Sequence, residues 1–76
     1  SLLLLASGKL AVVVEQSADS LLKPVVKTVY SVRHQEPLPP ARVDLSHRAC
    51  RETIVGREDP AKWPIPHLDE LWQSDL

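Results

Sequence analysis

Leu10-Ala11-Val12-Val13-Val14-Glu15 is followed, after a polar break, by Val25-Val26-Lys27-Thr28-Val29-Tyr30-Ser31-Val32. How these two stretches are read decides the fold. β-Branched residues dominate both, which suits strands, and Gln16-Ser17-Ala18-Asp19-Ser20 would then connect them. The same residues also fit a helix. Leu4, Ala11, Ala18, Val25 and Val32 recur every seven positions, with Val14, Leu21, Leu22 and Val29 at the intervening three- and four-residue steps. Glu15, Gln16, Asp19, Ser20, Lys23 and Lys27 fall largely off that stripe, as on an amphipathic helix. A two-stranded hairpin is marginal by itself in water, and no third strand stands out. The periodicity therefore predicts one long amphipathic helix in segment 1–33. It is kinked near Pro24, whose missing N–H removes a helical bond.

Beyond Arg33 the composition shifts. Six of the seven prolines lie there, and Glu36-Pro37-Leu38-Pro39-Pro40 must be extended, because proline fixes φ and restricts the residue before it. Segment 34–76 is expected to be a Pro-rich extended tail with two short helices. The first, near 46–55, is capped by Ser46, buries Ala49, Cys50 and Ile54 and stops at Gly56. The second, 66–73, starts at Pro66, carries Asp69 and Glu70 in its first turn and presents Leu68, Leu71 and Trp72. The expected class is thus mainly α with extended coil, and not an independent globule.

Seventy-six residues bound the chain to one small unit. A formal charge of −1 lacks the basic excess that draws a protein to a phosphate backbone, so no nucleic-acid partner is expected. A single cysteine excludes an internal disulfide. With no Phe and no Met, twelve Leu and nine Val supply nearly all the apolar bulk.

His47 and Cys50 are three apart and would share a helix face. A metal needs two more ligands, and His34 and His67 lie at irregular distances. A thiolate nucleophile needs oxyanion donors and a pocket that so short a chain hardly encloses. Glu58-Asp59 and Asp69-Glu70 are adjacent in sequence, whereas catalytic pairs face each other across a cleft. The only glycines, Gly8 and Gly56, make no phosphate-binding pattern. The expectation is no catalytic residue, no cofactor and no metal. Arg42, Arg48, Arg51 and Arg57 interleave with Asp44, Glu52, Glu58 and Asp59, which suits ion pairs with a partner surface.

These features predict a non-catalytic accessory subunit of a large multi-protein complex. The setting expected is an organellar membrane complex, respiratory or photosynthetic, with mitochondrial electron transport ahead of the plastid. Ser1 is not a start Met, in keeping with removal of a targeting segment. Other protein subunits would be gripped by Leu21, Leu22, Val25, Val29, Trp63, Leu71 and Trp72, and Leu2–Val14 is a stretch for membrane contact. The alternative is one chain of a proteolytically processed enzyme, its strands completed by a companion chain. A third reading is a small soluble binding domain.

Overall fold

In the computed structural model, which describes residues 2–16 and 22–66, both deciding stretches are strands. The sheet comprises β1 (Leu2–Leu5), β2 (Lys9–Glu15), β3 (Val25–Ser31), β4 (Glu36–Asp44) and β5 (Ile54–Glu58). All pairings are antiparallel, in the spatial order β4-β3-β2-β1-β5. Strands β1 to β4 form a meander, and the chain then crosses to the far edge, where β5 pairs with β1.

The fold is therefore all-β, and the long N-terminal helix kinked near Pro24 is not formed. The third strand missing from the sequence reading is Leu2–Leu5. The physical reason for the difference is burial on both faces of the sheet. Leu2, Leu10, Val12, Val14, Val25, Val29 and Tyr30 form a core on one face. Leu3, Leu5, Ala11, Val26 and Leu45 form a second core on the other. A strand covered on both sides loses its apolar–polar alternation and becomes a continuous apolar run, which periodicity cannot tell from helix. The seven-residue series is in fact divided between the faces: Leu4, Val25 and Val32 belong to the first core, Ala11 to the second.

The tail is also corrected. Its proline segment is extended as expected, but as edge strand β4 hydrogen-bonded to β3. The helix predicted near 46–55 is replaced by turns and by the start of β5. Ser46 caps nothing; its N–H and hydroxyl both donate to Asp44 Oδ1, at 2.9 and 2.6 Å. His47 N–H donates to Asp44 O and Cys50 N–H to His47 O, closing two successive turns. Beyond Pro66, the helix expected over 66–73 lies outside the described residues. The boundary at 33/34 falls within the turn between β3 and β4, across which Ser31 pairs with Glu36.

Both edges of the sheet are blunted. On β4, Pro39 and Pro40 sit in an irregular stretch between the Thr28↔Ala41 and Tyr30↔Pro37 pairs, where prolines remove the donors a further strand would need. On β5, the register shifts between Leu4 and Leu5, leaving Val55 unpaired at an irregularity.

Candidate functional site

A groove of about 670 Å³ opens on the face that carries Leu3 and Leu45. Its apolar lining is Leu3, Val13, Pro24, Leu45 and Ile54, and its charged lining is Lys23, Arg51, Glu52 and Arg57. Ile54–Arg57 bring β5 along one side, while Leu22–Pro24 lead into β3. The loop between β4 and β5 contributes Cys50–Thr53.

Two contacts hold that loop in place. Glu52 accepts from Ser7 N at 3.1 Å and from Ser7 Oγ at 2.5 Å, and Ala6 N donates to Thr53 O at 2.9 Å. The Glu52 carboxylate is thus tied to the β1–β2 turn. Among the described residues, Lys23, Arg51 and Arg57 make no ion pair. Among the described lining residues, three cations thus stand beside one carboxylate.

The exposed large hydrophobic residues of the described surface are Leu22, 84% exposed, and Val55, 60% exposed. Both line this groove. Scattered exposed aliphatics need no explanation, but these two line one groove.

The residues singled out from sequence are scattered. Val25 and Val29 are buried in the chain's own core, and Leu22 stands at the groove. Trp63 is half-buried against Tyr30, with ring centroids 5.7 Å apart, and donates Nε1–H to Glu58 Oε1 at 3.2 Å. Leu21, Leu71 and Trp72 lie outside the described residues. The arginine run divides. Arg42 pairs with Glu15 across β4 and β2, Arg51 and Arg57 line the groove, and Arg48 is exposed away from it. Sequence reasoning had no signal for Lys23 or Val55 at the site, because only the crossover that places β5 beside β1 brings them near one another.

His47 and Cys50 stand on turns, not on a helix face. His47 Nδ1 accepts from Ala49 N at 3.1 Å, and Cys50 packs half-buried on the second core. Among the described residues no group of three His, Cys, Asp or Glu converges. Asp44 is held below its ordinary pKa of 3.8, first by the Ser46 hydroxyl and then by the Ser46 N–H. That is the chemistry of a structural turn.

Comparison with known proteins places the chain beside a bacterial one. It is 43% identical over 72 residues to a cyclic di-GMP phosphodiesterase of Pseudomonas aeruginosa. The match takes in 95% of this chain but only 17% of the relative's length. No family model and no solved structure matches the chain.

This likeness overturns the expected setting. A respiratory or photosynthetic accessory subunit, mitochondrial electron transport and an organellar membrane location are not what a chain so similar to a bacterial phosphodiesterase segment points to. In the processed-enzyme alternative the strands were to be completed by a companion chain, whereas the described strands pair with one another within this chain. Among the described residues no helix is long and apolar enough to cross a membrane.

Proposed function

We propose that this chain serves as a non-catalytic β-sheet module of a cyclic di-GMP phosphodiesterase, packed against the region of that enzyme that carries the chemistry. The observation that carries this reading is the likeness itself: 43% identity along nearly the whole chain, within a relative about six times longer. An unrelated segment would not keep such similarity along 95% of its length. The site chemistry agrees with a supporting role. Among the described residues no charged side chain is buried in either core, and the groove carries the two exposed aliphatics, Leu22 and Val55, which suit packing against a neighbour.

The test is a chimera of the Pseudomonas relative in which this chain replaces the stretch it matches. The chimera is expected to hydrolyse cyclic di-GMP at a rate within about tenfold of the parent, and this chain alone not to turn it over. Hydrolysis by the chain alone, or a folded chimera without activity, would overturn the proposal.

A further inference from the structure

We infer that the groove between β5 and the entry to β3 is the seat of one helix from the remainder of the phosphodiesterase, bearing an aliphatic stripe flanked by Asp or Glu. This rests on the module reading above and names what the module grips. Three observations converge on it. The first is the lining: Leu3, Pro24 and Leu45 are already buried within the chain, Val13 and Ile54 beside them are only half-buried, and among the described lining residues no aromatic side chain could stack a base. The part of a sheet face left open is buried against another layer of structure, and a helix laid on one face of an antiparallel sheet is one of the stable arrangements. The second is the pair of exposed hydrophobics, Leu22 and Val55, which line the same groove and would be buried by an apolar stripe laid along it.

The third is charge. Lys23, Arg51 and Arg57 make no ion pair among the described residues, whereas the groove's carboxylate, Glu52, is already occupied by Ser7. An apolar centre with an arginine-bearing polar rim is the anatomy of a protein interface, and this rim selects an acidic partner. A strand added to β5 is a poorer fit, because the irregularity at Val55 breaks the edge it would pair with.

The same chimera tests this with a separate readout, release of the module by limited proteolysis. Arg51→Glu with Arg57→Glu, and independently Val55→Asp, are expected to speed release at least tenfold. Arg48→Glu, exposed and away from the groove, should leave it unchanged. The isolated chain carrying each substitution should melt as the parent does, since these side chains are exposed. Release unaffected by the groove variants overturns the inference even if the chimera hydrolyses cyclic di-GMP. Accelerated release in a chimera that folds but does not hydrolyse it upholds the groove and sinks the module reading. Two further results overturn the inference: cyclic di-GMP binding to the isolated chain that is lost on Arg51→Glu, or self-association of the isolated chain that is lost on Val55→Asp. They would identify the occupant as the nucleotide or a second copy.

Discussion

Leu10 has no exposed surface and sits in the middle of the sheet, paired with Leu4 on one side and Tyr30 on the other. Leu10→Ala should destabilise the chain by about 2–5 kcal/mol, the usual range for a leucine whose cavity cannot collapse. A shift in the urea midpoint at unchanged slope is the measurement. Asp44 gives a pH signature. Its folded pKa lies below the ordinary 3.8, so its contribution is complete above that value and is lost as pH falls through the lower folded one. Asp44→Asn should therefore flatten the acid limb of a stability–pH curve without altering its neutral plateau in slope. At this scale the sequence was partly legible. It marked Leu and Val as the core, but it could not say that Val25 and Val29 face the chain's own interior, because side-chain direction depends on a register that local pattern does not contain.

Strand and turn chemistry separates two connections. Gly8 closes the β1–β2 turn with φ +85°, and its N–H donates to Leu5 O at 2.9 Å. Gln35 takes φ 54° between β3 and β4, a conformation glycine adopts freely. Gly8→Val should cost about 1–2 kcal/mol from left-handed backbone strain. Gln35→Gly, by contrast, should leave the melting temperature unchanged or slightly raised, since relief of strain offsets the added freedom of the unfolded chain. Paired thermal melts settle both. The elements themselves were legible only where they meet solvent on one side. β5, with half-buried and exposed residues in strict alternation, is a clean strand pattern, yet in the sequence Ser46 and Gly56 bracket Ile54 as the end of a helix. The capping signals were genuine polar punctuation, but of a turn. β2 and β3 were illegible because cover on both faces erased the alternation that would have declared them.

The whole molecule depends on contacts far apart in sequence, above all Leu2↔Glu58 and Leu3↔Arg57. Sheets of this kind fold slowly, because the loop between distant strands must close before the pairing returns anything. Truncation after Thr53 removes β5 and leaves β1, apolar on both sides, as a bare edge. The expected outcome is aggregation, read by size-exclusion chromatography, beyond a simple loss of thermal stability. A truncated chain that stays monomeric and cooperative would show that β5 is dispensable. The groove was the least legible feature of all, since its two sides come from segments well separated in sequence and meet only through the crossover of β5.

The Leu2↔Glu58 pair has a mechanical side. Because β1 and β5 run antiparallel, the start of one strand lies beside the end of the other. A pull applied at Leu2 and Glu58 together loads their ladder across the strands, and its hydrogen bonds break in succession, as a zip opens, instead of resisting together in shear. A pull at this pair would therefore peel β5 from the sheet first, opening the groove before it disturbs the central strands.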